Sequence, residues 1–320
     1  MSFVILGTGS FVPERVVTND ELSKLVDTSD EWVSQRVGVR ERRVCTTETT
    51  ARMGYNAAMS ALEQAQVEPG EVDMILCATV SGDTQAPSTA CVIQKMLGAT
   101  CPAMDINAAC SGFIYMLDTA AGFFSRKRVK KMLVIGAERL SHLVDWSDRD
   151  TCVIFGDGAG AAVLGAGDNY IASKLFARGN DTTIRVPAFH GASPFYENEP
   201  EHPYIYMNGQ ETFKFAVGAM AGDLAEILEL SGLEREQIAW VIPHQANIRI
   251  IEAAMKKTGI PAERFCTNIA KYGNTSAASI PLLLDEVNRE GKLKSGDYIA
   301  LTSFGAGLSS AVCIIKWETY

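Results

Sequence analysis

The chain lacks close cysteine pairs, long apolar runs and enough basic residues to balance its acids. Its eight cysteines, Cys45, Cys77, Cys91, Cys101, Cys110, Cys152, Cys266 and Cys313, are scattered, and none forms a Cys-x-x-Cys pair. That pattern argues against a zinc site or a disulfide framework and suits a reducing, cytoplasmic setting. No apolar stretch approaches the length that crosses a bilayer. The N-terminus, Met1-Ser-Phe-Val-Ile-Leu-Gly-Thr-Gly, has no basic lead and soon breaks into glycine, so it reads as a first buried strand rather than a signal peptide. Lys and Arg number 29 against 38 Asp and Glu, a formal charge of −9 that argues against general nucleic-acid binding. A phosphate loop is missing too. Phe155-Gly-Asp-Gly-Ala-Gly lacks the Lys-Ser/Thr of a P-loop, and its glycines do not follow the dinucleotide spacing.

What is present describes a globular chain of 320 residues, 47% hydrophobic and 21% charged, long enough for one large core or two medium ones. Short apolar strands at Val72–Thr79, Met132–Gly136, Ile238–Ile242 and Tyr298–Thr302 alternate with helical patterns such as Thr50–Gln66 and Thr212–Ser231. The alternation predicts an α/β fold with a largely parallel sheet.

The two halves repeat each other. Helix, polar turn and strand at 50–79 recur at 216–245, and the strand starts Val72 and Ile238 differ by 238 − 72 = 166. The small-residue helix entry at Cys110 has its counterpart at Ser276, again 276 − 110 = 166, as do the strands at Met132 and Tyr298. One register kept by three elements predicts a duplicated unit, with halves 1–170 and 171–320. Each half ends in a glycine-rich, hairpin-like segment, Phe155-Gly-Asp-Gly-Ala-Gly and Phe304-Gly-Ala-Gly. Between them, 176–206 is rich in Gly, Pro, His and Asn and reads as a long, lid-like loop. Duplication brings equivalent strand ends and helix starts to a shared centre, where open α/β sheets hold their chemistry.

Three side chains fall there. Cys110 sits in Asp-Ile-Asn-Ala-Ala-Cys-Ser-Gly-Phe, where a small-residue turn enters a helix. Free backbone N–H groups and the helix dipole there favour a thiolate nucleophile, while a free cysteine also serves as core filler. His244, in Pro-His-Gln-Ala-Asn at a strand end, is one of four histidines with His142, His190 and His202. It reads as a structural strand-end residue or a catalytic one. Asn274, in Tyr-Gly-Asn-Thr-Ser-Ala-Ala-Ser, suits a helix cap and equally a neutral donor to a developing oxyanion. Phe304-Gly-Ala306-Gly offers backbone N–H groups for a tight turn or for half of an oxyanion hole, with the Cys110 N–H as the other half. Trp32 and Arg36 lie four apart on one helix face. Lys214, Arg249, Lys256 and Lys257 are basic points in an acidic chain.

Together these segments resemble the beta-ketoacyl-acyl-carrier-protein synthase III family, nearly end to end. The most specific motifs are Ala-Ala-Cys-Ser-Gly-Phe, Pro-His-Gln-Ala-Asn and Tyr-Gly-Asn-Thr-Ser-Ala-Ala-Ser. The resemblance implies a thiolase-like fold, a duplicated five-layer αβαβα arrangement, and a catalytic triad of Cys110, His244 and Asn274. Asn at the third position, rather than His, points to the chain-initiating type. It implies an acyltransferase that condenses a short acyl-CoA with malonyl-acyl-carrier protein by decarboxylative Claisen chemistry, starting type II fatty acid synthesis, with no metal or other cofactor. Thr28, Trp32, Arg36 and Arg149 match positions that hold coenzyme A, and Gly209, Phe213, Ala246 and Asn247 match the pantetheine tunnel. Lys214, Arg249, Lys256 and Lys257 match the face that receives the acidic carrier protein. A cytoplasmic homodimer is implied, with Ala86–Pro87 reaching the neighbour's pocket, and no nucleic-acid or membrane partner. Two positions depart from the family pattern. Ala306 replaces the middle glycine of a Gly-Gly-Gly run, and Ala86 stands where several members carry a bulky aromatic that closes the acyl pocket.

Overall fold

The computed structural model describes residues 2–187, 195 and 203–319. In chain order the first half contains β1 (Ser2–Phe11), β2 (Val16–Thr18), α1 (Asn19–Leu22), α2 (Asp30–Arg36), β3 (Glu41–Arg43), α3 (Thr50–Ala65), β4 (Met74–Ala78), α4 (Thr89–Leu97), β5 (Ala103–Ile106), α5 (Gly112–Ser125), β6 (Lys131–Arg139), α6 (Arg149–Cys152) and β7 (Asp157–Gly167). The second half contains β8 (Tyr170–Asn180), β9 (Ile184–Arg185), β10 (Tyr206–Met207), α7 (Gly209–Ser231), β11 (Ile238–Pro243), α8 (Ile248–Thr258), α9 (Ile269–Tyr272), α10 (Ser279–Arg289), β12 (Tyr298–Gly305) and β13 (Gly307–Lys316).

One sheet, ordered β1-β7-β6-β4-β5, comes from the first half, and the other, β11-β12-β13-β8, from the second. Local signals set the boundaries of the helices. Thr49 caps α3 by accepting from the Arg52 N–H at 3.1 Å, and Gln66 ends it in the left-handed region. Five layers follow from which faces are apolar. The Ala-rich face of α3 and Ala90 and Ile93 of α4 pack against one side of the first sheet. On the outside of the second sheet lie α7 and α8, through Met220, Leu224, Ile250 and Ile251. Between the sheets, α5 (Phe113, Ile114, Met116, Leu117) and α10 (Ile280, Leu283, Leu284, Val287) share one core with strands of both. The apolar Phe-Ile-Tyr-Met-Leu run of α5 follows from that position, since a helix between two sheets has little solvent face to keep polar.

The sheets are mixed rather than largely parallel. β4 pairs parallel with β5 and β6, and β11 with β12, but β7 is antiparallel to both β1 and β6, and β13 to both β12 and β8. The glycine-rich segments account for the difference. Asp157–Gly167 is itself a strand, reached from β6 through α6 rather than by a hairpin, whereas Ala306 does turn β12 directly into β13. The patternless stretch 176–206 is also more ordered at its ends. Its first residues continue β8 to Asn180, and β9 pairs with β10. Residues 188–194 and 196–202, including His190 and His202, lie outside the described residues.

The halves meet through two short turns, Ala109–Ser111 before α5 and Ser276–Ala278 before α10. Each opens on a non-glycine residue in the left-handed region, Ala109 at φ 47° and Ser276 at φ 48°. They lie 276 − 109 = 167 residues apart, so the backbone equivalent of Cys110 is Ala277, one residue beyond the 166 register. The packing there is reciprocal. A Cβ on Gly136 of β6 would come within 2.4 Å of the Ala277 carbonyl oxygen, and a Cβ on Gly305 of β12 within 2.8 Å of the Cys110 nitrogen. Each half thus presents a side-chain-free strand position to the turn of the other.

This geometry predicts opposite effects of one chemical change. Gly136→Ala forces β6 off the Ser276 turn and lowers the unfolding free energy by about 1–3 kcal/mol. Gly122→Ala, on the open face of α5 where no atom lies within 4 Å, raises it by roughly 0.5–1 kcal/mol. Urea unfolding of both variants checks the pair, and a Gly136→Ala chain as stable as the parent contradicts the close approach.

Candidate active site

Cys110 occupies the turn that feeds the N-terminus of α5, a helix of 14 residues. The turn is fixed from the second half by Ser309, whose hydroxyl donates to the Ala306 carbonyl at 3.0 Å and lies 3.2 Å from Ser111 Oγ. The β12–β13 turn carrying Ala306 is therefore tied to the residue that follows Cys110. The expected thiolate-favouring setting is only part of the picture. Burial pushes the Cys110 thiol up to about 12 and the charge of Glu138 adds to the rise, while hydrogen bonding from Ser276 and the backbone opposes it. The thiol is favoured over the thiolate because desolvating the charged form outweighs the opposing hydrogen bonds of the turn.

His244 and Asn274 are gathered at the turn facing it. His244 follows β11, is 1% exposed, and its N–H donates to the Thr302 carbonyl at 2.8 Å. Its Nδ1 lies 2.6 Å from Ser279 Oγ, the first residue of α10, and its Nε2 is buried without a partner. The Gln245 N–H also approaches Ser279 Oγ, at 3.5 Å. The Ser279 hydroxyl keeps a second lone pair as well as its proton, so it engages Nδ1 in either tautomer, and Nε2 is the ring nitrogen left open. Burial pulls the imidazole down to about 3, so the ring is neutral and a poor base.

Asn274 is 6% exposed and stitched into the backbone. Its N–H donates to the Ile154 carbonyl at 2.9 Å, and its own carbonyl accepts from the Gly156 N–H at 3.1 Å. Its Oδ1 accepts from the Ser276 N–H at 2.8 Å, leaving the carboxamide NH2 as the donor end. Its side chain fastens the start of the turn before α10, and its amide remains open as a donor. The segment Phe155-Gly156 lies alongside Asn274, which is what the first glycine-rich motif contributes to the site.

Two neighbours were not singled out by sequence reasoning as chemical groups. Ser276 was noted only as the counterpart of Cys110. Its hydroxyl is buried, near enough to the Cys110 thiol and the Glu138 carboxyl to lower the pKa of each, yet without the geometry of a formed hydrogen bond to either. Glu138, fully buried near the end of β6, was missed. The available signal was a carboxylate closing the apolar strand Met-Leu-Val-Ile-Gly-Ala-Glu.

A second cluster lies around α2. The Arg149 guanidinium sits over the Trp32 ring at 4.9 Å and donates to the Asp27 carbonyl at 3.0 Å. Thr28 is in the loop entering α2, its hydroxyl buried and unpartnered. Asn247 caps α8 and donates to the Arg36 carbonyl at 3.1 Å, and the Ile248 N–H donates to the Val37 carbonyl at 2.9 Å, joining α2 to α8. Arg249 lies over Phe213 at 5.6 Å, which brings in α7, whose first residue is Gly209. Ala246 is buried between His244 and Asn247. The basic residues are less compact. Lys214 is paired with Glu211 at 2.8 Å, and Lys256 and Lys257 occupy the last turn of α8, at the other end from Arg249. Among the described residues, no group of three or more His, Cys, Asp or Glu side chains is placed to hold a metal ion.

Comparison with known proteins gives a consistent answer. Residues 104–179 match a family described as 3-Oxoacyl-[acyl-carrier-protein (ACP)] synthase III, and 228–317 match its C-terminal part. A beta-ketoacyl-[acyl-carrier-protein] synthase III of Clostridium acetobutylicum is 46% identical, over 99% of both chains. The crystal structure of 3-oxoacyl-[acyl-carrier-protein] synthase III from Aquifex aeolicus superimposes with a TM-score of 0.92 at 45% identity, covering 98% of this chain and 100% of that one. The priming beta-ketosynthase of the R1128 polyketide pathway is 33% identical, with a TM-score of 0.92 over 99% of this chain and 97% of its own.

The depressed His244 pKa has a sign that stability can report. Between about pH 6.5 and 3 the unfolded chain binds a proton at this position and the folded chain does not, so this contribution to stability falls as pH falls. The slope is about 1.4 kcal/mol per pH unit within that window. In His244→Asn the contribution is gone, and the stability gap between parent and variant shifts toward the variant from pH 7 to 4.5 in urea titrations. A gap that stays constant contradicts a neutral buried imidazole.

Proposed function

The chain belongs to the 3-oxoacyl-[acyl-carrier-protein] synthase III family, condensing enzymes of the thiolase fold that act as acyltransferases and initiate fatty acid synthesis, and from that premise we propose how its own residues divide the reaction. The observation that carries the reading is the pair of unshared groups where the halves meet. These are a half-buried cysteine at a helix entry in one half and, in the other, a histidine whose Nδ1 is fixed while Nε2 has no partner.

In the first half-reaction the sulfur of Cys110 attacks the thioester carbon of acetyl-CoA or another short acyl-CoA. The carbonyl oxygen, now negative, is held by the N–H groups of Cys110 and Ala306. The carbon–sulfur bond to coenzyme A breaks, leaving an acyl-enzyme. Replacing glycine by Ala306 keeps the N–H. In the second half-reaction malonyl-acyl-carrier protein enters the same tunnel. His244 Nε2–H and the Asn274 amide donate to its thioester oxygen and stabilise the enolate formed as carbon dioxide leaves. A neutral imidazole suits this task, because it donates without first having to acquire a proton. The enolate carbon attacks acyl-Cys110, releasing 3-ketoacyl-acyl-carrier protein and restoring the cysteine. The coenzyme A thioester is a substrate, and the scheme calls for no metal or redox group.

For coenzyme A we assign the adenine to Trp32 and Arg149, which part from their 4.9 Å contact to admit it, with Thr28 and Arg36 beside it, and Gly209, Phe213, Ala246 and Asn247 lining the way inward. Lys214, Arg249, Lys256 and Lys257 form the face for the acidic carrier protein. We read 1–170 and 171–320 as the duplicated halves, and the working form as a cytoplasmic homodimer. The exposed edge strand β5 and exposed Ala86 support the dimer. Ala86, in place of a bulky aromatic, favours primers longer or more branched than acetyl. The likeness to a priming polyketide synthase gives a second reading, a starter role in secondary metabolism, which a panel of straight and branched acyl-CoAs with malonyl-carrier protein against free malonyl-CoA separates.

Radiolabelled short acyl-CoA is expected to leave its acyl group on the peptide bearing Cys110. No label from any primer in the panel contradicts the reading. His244→Ala and Asn274→Ala are expected to keep this labelling but lose malonyl decarboxylation by about 10²-fold or more. Charge reversal at Arg249, Lys256 and Lys257 raises the KM for malonyl-carrier protein on the order of tenfold, an effect that weakens with added salt, and leaves acylation by acyl-CoA unchanged. Reversal at Lys214 has a smaller effect, because Glu211 already pairs with it.

A further inference from the structure

The proposed chemistry requires Cys110 to lose a proton, and the site makes that costly. His244 is poorly suited to help, since burial makes its imidazole a weak base. Glu138 is the ionisable group whose charge reaches the thiol. It is fully buried, and one carboxyl oxygen, Oε2, is saturated: the Thr79 hydroxyl donates at 3.1 Å, the Val80 N–H at 3.1 Å and the Ser81 hydroxyl at 2.5 Å. The other oxygen, Oε1, is buried with no partner. The Ser276 hydroxyl, also buried and unpartnered, neighbours both this carboxyl and the Cys110 thiol. The backbone holds the three together. Gly136, two residues before Glu138, abuts the Ser276 turn at Ala277, and that turn touches the Cys110 turn. Leaving two buried polar atoms unsatisfied is costly, and a merely structural carboxylate would avoid the cost by closing the bond.

We propose that Glu138 Oε1, acting through the Ser276 hydroxyl, takes the proton of Cys110 as the thiol is acylated and returns it when the condensation product leaves. The inference rests on the acyl-enzyme reading above. During attack the S–H bond breaks and the proton passes to Ser276 Oγ, whose own proton passes to Glu138 Oε1. The sulfur–acyl bond forms, and departing coenzyme A thiolate takes a proton from solvent. When the enolate carbon attacks the acyl group, the expelled Cys110 thiolate recovers its proton from Glu138 by the reverse path. Glu138 ends as it began, a carboxylate, and the negative charge that malonate brought is balanced by the proton taken up from solvent.

The ionisable surroundings leave Glu138 free to cycle. Cys77 of β4 and Cys110 both have pKa values raised by burial and stay neutral. Arg139, beside Glu138 on β6, lies 3.5 Å from Asp83, and Asp157 of β7 is held by the Cys45 N–H and Ser141. Burial raises the Glu138 carboxyl above its ordinary range, nearer to what a proton acceptor needs.

Single-turnover labelling of Cys110 by acyl-CoA, followed from pH 5 to 10, tests this in the parent, Glu138→Gln, Glu138→Asp, Ser276→Ala and the Gln/Ala double variant. Thermal unfolding is monitored for each, and malonyl-carrier protein decarboxylation is a separate readout. Expected are an acylation rate about 10²-fold lower in Glu138→Gln and in Ser276→Ala, loss of the acidic limb of the pH profile, and partial rescue by Asp. The double variant should be no slower than either single one, and decarboxylation should change little. Parent-like acylation with an unchanged acidic limb in Ser276→Ala or Glu138→Gln overturns the relay. So does an equal loss of acylation and decarboxylation. If Glu138→Gln fails to fold, Ser276→Ala decides alone. An unlabelled parent instead overturns the acyl-enzyme reading itself.

Discussion

The structure depends on a close approach at its centre. The turn that begins α5 and the turn that begins α10 press on each other across the junction of the halves, and each is met by a glycine from a strand of the opposite half. A single methyl group at Gly136 or Gly305 would collide with backbone, which has no rotamer through which to yield. That contact places both helix entries between the sheets, fixes the left-handed residues Ala109 and Ser276, and leaves two helix N-termini opening on one small volume. Strain of this kind persists only where surrounding packing overdetermines it, and it gathers at functional sites.

Burial in that volume sets the electrostatics. Every ionisable group described there is pushed toward its neutral form: Cys110 and Glu138 upward, His244 downward. The chemistry proposed above therefore relies on neutral donors and on protons moved over short paths rather than on fixed ion pairs. An enolate or a tetrahedral oxyanion that forms there meets preorganised N–H groups in a dry setting, where each is stronger than in water. The charged residues lie farther out, around Trp32 and Arg149 and along α8.

Much of this was legible in the chain. The motifs around Cys110, His244 and Asn274 marked the three residues, and the repeated helix–turn–strand pattern marked the two halves. The strand direction of β7 was not, because a Gly- and Ala-rich strand carries little of the hydrophobic alternation that identifies strands, and because pairing direction depends on the connection through α6. The one-residue difference between the 166 and 167 registers was hidden for a similar reason. Small residues on both sides of Cys110 match their counterparts almost equally well in either register, and only the positive φ of Ala109 and Ser276 distinguishes them.

The sequence by itself determined which reactive groups the chain brings to the junction of its halves, since a thiol, an imidazole and a carboxamide in those settings are local facts of residue order. Only the tertiary structure decided their protonation and their partners. It brought Glu138, 28 positions after Cys110, and Ser276, 166 positions after it, to the same thiol. It also buried Glu138, Ser276, His244 and Asn274. Desolvation and long-range neighbours set a pKa, and neither can be read from residue order until the chain has closed on itself.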